Sequence, residues 1–216
     1  MNSPDSITIN GITLSAPRVP RQKEVFSADA LSFLARLHRE FGRRAAASAP
    51  QEQGSPHSPE TGGELERSWR ALVERHLAEP VPSFITPRRL SRPEGRIISG
   101  GEPLSAGLTD FGLHLSRNAR RLLAEGRAPF VSLLGIETEE ELELWQDLFL
   151  RAEEMLGLPD GTIRAIHISP RSSEAQNTED ELGGTAGAED SAEVTVLARR
   201  DGAGESGRRE SMEAVA

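Results

Sequence analysis

Between residues 96 and 168 the chain alternates two hydrophobic periods, and that alternation limits its fold more than any other feature. Leu108, Phe111, Leu115, Ala119 and Leu122 recur at the spacing of one helix face, and Gly126 is placed to close that helix. Phe130 to Leu134 is a continuous apolar run of buried-strand length. Thr138 followed by Glu141 forms a capping box that opens a second helix, with Leu142, Trp145, Leu148, Phe149, Ala152 and Leu156 on its inner face. Gly157 and Pro159 stop it, and Thr162 to Ile168 reads as the next strand. Helix, strand, helix and strand joined by short connections predict an α/β fold, with parallel strands linked by crossover helices. Just upstream, Arg96-Ile97-Ile98, Ser99-Gly100-Gly101 and Glu102-Pro103-Leu104 predict a strand and a tight turn.

The flanks divide the rest. Residues 1–45 form an N-terminal segment with one amphipathic helix: Ser27 can cap it, Ala30, Phe33, Leu34, Leu37 and Phe41 make its stripe, and Gly42 suits its end. Residues 46–63 carry Pro, Ser, Gly and Gln with nothing apolar larger than Ala, the composition of a disordered linker. Residues 64–170 hold the α/β region. It opens with a helix bearing Leu65, Trp69, Leu72, Val73 and Leu77 and ended by Pro80 and Pro82. Residues 171–216 are rich in Ser, Gly, Ala and Glu and read as an acidic, largely disordered tail, with Val194 to Leu197 as its one candidate strand.

Charge and composition exclude several functions. The net charge is −9, and residues 171–216 carry −6 of it. An acidic chain without a concentrated basic face makes a poor nucleic-acid binder, because phosphate neutralisation dominates that affinity. No run approaches the ~20 apolar residues of a membrane helix, so no membrane partner is expected. The first residues lack the basic and apolar regions of a secretory signal, and with no cysteine there is no thiolate chemistry or disulfide framework. A cytoplasmic location fits both. The five histidines do not pair at metal-ligand spacing and are expected on surfaces or helix faces. Glu139-Glu140-Glu141 reads as a solvated first helical turn, Gly100-Gly101 as a turn without phosphate-loop spacing, and Trp69 and Trp145 as core.

The run from Glu102 to Leu113 (EPLSAGLTDFGL), with Asn118, Leu122, Leu123, Gly126 and Pro129 following in register, resembles the malate synthase family, specifically its shorter A-type branch. Trp145, Phe149, Leu158, Pro159 and Gly161-Thr162-Ile163-Arg164 continue the match, and Val25 to Phe41 is similar to that family's first helix. The resemblance implies a partial (β/α) TIM-barrel-like unit of parallel strands and crossover helices. It also implies a family reaction in the glyoxylate cycle: glyoxylate, acetyl-CoA and water give malate and CoA, with Mg²⁺ as cofactor.

Position by position, several functional residues differ. Counting back from Pro93-Glu94, the family's catalytic arginine falls on Thr86 and the second arginine of that motif on Arg88; the motif's glycine and histidine become Arg89 and Ser91. Arg88 is therefore the one candidate substrate-binding residue. The lysine after the next strand is replaced by Gly135, and the magnesium-holding glutamate by Pro170. Claisen condensation needs a base near the thioester methyl group, a cation on the developing enolate and a metal polarising the aldehyde. Threonine supplies no guanidinium charge and proline no metal-binding side chain. The expectation is a truncated, degenerate homologue without catalytic residues or a bound cofactor of its own. Two other readings stand beside it: a non-catalytic protein that binds a partner, or itself, through incomplete barrel edges, and a gene remnant without selected function.

Overall fold

A computed structural model describes residues 6–48, 62–134, 136, 138–169 and 193–197. Most of the expected linker and tail lies outside these residues, as do Gly135 and Pro170. The fold is mixed α/β with two four-stranded sheets.

The first sheet is antiparallel, in the order β1 (Ser6–Ile9), β2 (Ile12–Ser15), β4 (Pro93–Ser99), β5 (Glu102–Ser105). Asn10 and Gly11 turn β1 into β2 with positive φ, and Gly100 and Gly101 do the same between β4 and β5, as tight hairpins require. The β4–β5 hairpin is the predicted strand and turn, but it pairs with the N-terminal hairpin and not with the parallel strands. The β1–β2 hairpin is not among the expected elements. Its four-residue strands end the hydrophobic pattern before periodicity can declare it.

The second sheet has the order β3 (Phe84–Ile85), β6 (Phe130–Leu134), β7 (Arg164–Ser169), β8 (Glu193–Leu197). β3, β6 and β7 are parallel, as the alternation predicts. β8 runs antiparallel to β7. Among the described residues the strands do not close into a barrel.

Helices α2 (Ala28–Ala47), α4 (Ala106–Ala124) and α5 (Glu139–Leu156) cover this sheet. Each starts at a side-chain cap: Ser27 Oγ accepts from the Ala30 amide, Ser105 Oγ from Leu108 and Thr138 Oγ1 from Glu141. The caps at Ser27 and Thr138 are those expected. α2 continues through Gly42 to Ala47, beyond its expected end. Gly42 lies against the His38 ring, where a built Cβ would come within 2.6 Å of Nδ1. Nor is α2 a separate segment. Phe33, Leu37, Phe41 and Ala45 share one buried core with Phe111, Trp145, Leu148 and Phe149, and with Val131, Leu133 and Ala165 of the parallel strands. Phe111 meets Trp145 edge to face at 5.6 Å between centroids.

A second core joins α2 to the antiparallel sheet, to the short helix α1 (Gln22–Val25) and to α3 (Gly62–His76). Trp69 of α3 is fully buried there, stacked on Phe26 at 4.9 Å, and its indole Nε1 donates to Gln22 Oε1 at 2.9 Å. Both tryptophans are core residues, as their positions on apolar stripes predict.

Candidate functional site

The loop from Thr86 to Arg92 leaves β3 and enters β4, and it is fixed at both sides. Ser105 Oγ donates to the Leu90 carbonyl at 2.5 Å, and the Ala106 amide donates to the Arg92 carbonyl at 2.7 Å. Gly107 permits this contact: a Cβ there would come within 2.6 Å of the Arg88 carbonyl oxygen. The start of α4 thus rests directly on the loop that carries Arg88.

Arg88 turns toward α4. Its Nε and Nη2 donate to Asp110 Oδ2 and Oδ1, both at 2.8 Å, and its backbone amide donates to Oδ2 at 3.1 Å. Nη1 donates to Glu94 Oε2 at 2.7 Å. Arg96, two residues on from Glu94 within an irregular stretch of β4, donates to it from Nε at 2.6 Å and from Nη2 at 3.0 Å. Arg96 Nη1 reaches Ser68 Oγ at 2.7 Å, and its guanidinium lies 5.4 Å from the Trp69 ring centroid. Arg75 of α3 approaches Asp110 at 3.9 Å. The two carboxylates are only 2% and 3% exposed, and each is paired bidentately, the form in which burial of an ion pair is tolerated. Burial raises the Glu94 carboxyl's pKa, but the hydrogen bonds from Arg96 and Arg88 outweigh it and hold the group below its usual range. Burial likewise works against the Arg88 charge, and Asp110 and Glu94 overcome it.

Two histidines border this network, against the expectation of surface or helix-face positions. His76, in the last turn of α3, and His114, one turn beyond Asp110 on α4, are both buried, and neither has a partner for Nε2. Burial pushes both pKa values down to about 4; at His76 it prevails over the attraction of Asp110. Asn118 Nδ2 lies 3.4 Å from His114 Nδ1. The sequence carries part of this signal, since His114 sits four residues from Asp110 and from Asn118 on a helix that is buried on nearly every side.

Arg88 and Glu94 are therefore brought together, while Thr86 stands exposed just past the end of β3 and Arg89 is exposed as well. The C-terminal ends of parallel strands are where β/α-barrel enzymes place their chemistry. Here those ends lead to Thr86, Gly135 and Pro170, the last two outside the described residues.

The parallel β3–β6–β7 strands with α4 and α5 between them define a β/α unit. Residues 84–177 match the family model for the malate synthase TIM-barrel domain. The chain is 43% identical over 102 residues to malate synthase from Streptomyces clavuligerus, which is 46% of this chain and 19% of that protein. It is 43% identical over 82 residues to malate synthase from Myxococcus xanthus, covering 38% and 15%. Glyoxysomal malate synthase from Cucumis sativus is 41% identical over 85 residues, again 38% and 15%. Over residues 84–177 the chain is thus similar to the malate synthase TIM-barrel domain, and it spans a fifth or less of these relatives' length.

The resemblance implies Mg²⁺, and the donors among the described residues do not fit it. Mg²⁺ requires near-octahedral oxygen ligands including carboxylates free to bind. Glu94 and Asp110 are occupied by guanidinium groups, whose positive charge opposes a cation at the same oxygens. Among the described residues no three His, Asp or Glu side chains gather at one point in a way that could hold a metal ion. Among the same residues, no helix is long and apolar enough to cross a membrane.

Proposed function

We propose that this chain is a malate synthase-like protein with a partial β/α barrel, built on β3, β6 and β7, that does not itself condense glyoxylate with acetyl-CoA. The observation that carries the reading is the fate of Arg88. The arginine that aligns with the family's motif spends its guanidinium on Asp110 and Glu94, and Thr86 occupies the position where the motif places its catalytic arginine. Loss of one electrostatic stabiliser of a developing oxyanion costs ~10²–10³ in rate. Here the arginine, the lysine replaced by Gly135 and the glutamate replaced by Pro170 are all changed. Arg88 is accordingly a structural ion-pair partner and not a substrate ligand. A cytoplasmic place and the boundaries at residues 63 and 170 belong to the same reading, whereas the boundary at 45 falls inside α2, whose core is shared with the α/β region.

The test is release of free CoA from acetyl-CoA by the purified chain with glyoxylate and Mg²⁺, against a full-length malate synthase. We expect no turnover from protein shown to be folded by circular dichroism. Turnover above background that is abolished by Arg88→Ala would overturn the reading.

A second reading, a non-catalytic interaction protein, is favoured by one observation. Phe84, on the two-residue edge strand β3, is 49% exposed, an uncommon exposure for a large aromatic side chain beside an open strand edge. Capture of a protein partner that is lost in Phe84→Ser would favour it.

A further inference from the structure

β7 is the strand to which a parallel β/α sheet would add its next member. Its neighbour on that side is β8, in the register Ala165↔Leu197, Ile166↔Val196, His167↔Thr195, Ile168↔Val194 and Ser169↔Glu193. An antiparallel strand cannot be the next strand of a barrel whose strands all run parallel. It does, however, satisfy an edge. β8 pairs with β7 from Ala165 to Ser169, so the row of amide and carbonyl groups that would otherwise template another chain is occupied along the length of the strand.

We propose that Glu193–Leu197 is a strand cap supplied in cis: β7 carries a strand-acceptor edge, and β8 fills it so that the edge does not take a strand from a second copy of this chain. The proposal is independent of the catalytic reading above.

Three points carry it. The β7 sequence, Arg-Ala-Ile-His-Ile-Ser, places β-branched residues at alternate positions, which makes the strand a ready template when its edge is bare. The cap is short and bracketed in sequence by charge, with Glu189 and Asp190 on one side and Arg199, Arg200 and Asp201 on the other. Short strands with flanking charges are how natural sheets blunt an edge, so the charges bracketing β8 oppose the addition of a further strand outside it. Finally, β8 is tethered to β7 through residues 170–192. Pairing within one chain does not depend on protein concentration, whereas pairing with a second copy falls away as the protein is diluted, so at low concentration the cis strand prevails.

The experiment uses the full chain and its V194P/T195P variant. Alternate amides of a strand face each neighbour, so two adjacent prolines remove a β8 donor whichever of the two faces β7. Amide exchange is read residue by residue by NMR. In the unaltered chain, the β7 amides that do not bond β6 should be protected to the same degree between roughly 10 µM and 1 mM protein. In the variant those amides should exchange at least ~10-fold faster at the low end, and recover protection at the high end as light scattering shows dimers. A synthetic peptide of residues 191–199 added to the variant should restore protection without dimerisation.

Unchanged β7 exchange in the variant would overturn the cap. Faster exchange in a chain that stays monomeric throughout would overturn the acceptor role of the edge. Protection of α4 and α5 amides reports that the variant is folded. Should it not fold, V194G/V196G keeps every donor and weakens only strand propensity, and the same three readouts decide.

Discussion

Asp110 receives Arg88 through both carboxylate oxygens at 2.8 Å, and through the Arg88 backbone amide as well. Twenty-two positions apart in sequence, the two residues tie the β3–β4 loop to α4 and leave the carboxylate no free face. The same pair decides what Arg88 is for, since a guanidinium held in this way has its charge neutralised where it stands.

Removing the acid should be costly. Asp110→Asn leaves Arg88 part-buried with Glu94 as its sole anion, and truncating one partner of a buried pair costs about 3 kcal/mol. Urea denaturation should show a loss of that size with an unchanged m-value. A change under about 1 kcal/mol would mean that the pair is incidental.

Stability should fall with acid in a defined window. His76 and His114 hold pKa values of about 4 in the fold against an ordinary 6.5, so between those values the unfolded chain binds protons that the folded chain refuses. The loss therefore begins as pH drops below about 6.5 and is complete near 4, on the order of 3 kcal/mol per histidine at most. Burial is the main cause at both. The charged and titratable groups facing His76 are Asp110, Arg75, His114 and Arg88, and Asp110 is too weak a counterweight to burial. Below 4.5 the Glu94 carboxylate, whose folded pKa is depressed, adds its own loss as it protonates. His114→Gln should flatten the curve between pH 6.5 and 4; a curve of unchanged slope would refute the assignment.

The two glycines of α4 should respond differently to the same methyl group. Gly107→Ala drives a Cβ against the Arg88 carbonyl at 2.6 Å, and backbone cannot rotate away, so a cost of about 1–3 kcal/mol outweighs the gain in helix propensity. At Gly112 the obstacle is Leu34 Cδ2, the far end of a side chain that can turn, and Gly112→Ala should lie within about 1 kcal/mol of the parent. Thermal melts of both variants side by side check the ordering.

Trp69 joins three contacts, the Phe26 stack, the Gln22 hydrogen bond and the Arg96 guanidinium, at the meeting of α1, α3 and β4. Trp69→Ala should cost about 3–5 kcal/mol, with Trp145, the other tryptophan, left as the fluorescence probe. If Trp145 fluorescence unfolds with an unchanged midpoint, the second core is not coupled to the first.

The parts of the fold legible in the sequence are those set by close neighbours along the chain. A cap needs its Ser or Thr three residues before the amide it accepts, and Ser27 and Thr138 show it. The Phe130–Leu134 strand and the α5 face are legible for the same reason, because a period of 2 or 3.6 is written within a few residues. The Arg88 site is legible as an aligned position only. Nothing near Arg88 in sequence indicates that its guanidinium turns to Asp110 on a helix, and the alternation itself suggests that every strand joins one parallel sheet.

Sequence alone thus determined helices α2 to α5, the caps at Ser27 and Thr138, the strands β4, β6 and β7 and the resemblance carried by residues 102–164, all of them encoded by short-range periodicity and local residue order. Tertiary structure decided the rest: the β4–β5 hairpin pairs with β2 in a separate antiparallel sheet, α2 buries Phe33 and Phe41 against α4 and α5, and Arg88 is bound by Asp110 and Glu94. Each of these is a contact between groups far apart along the chain. Strand edges, apolar faces and opposite charges can satisfy many alternative partners, and only packing the whole molecule selects which of them meet.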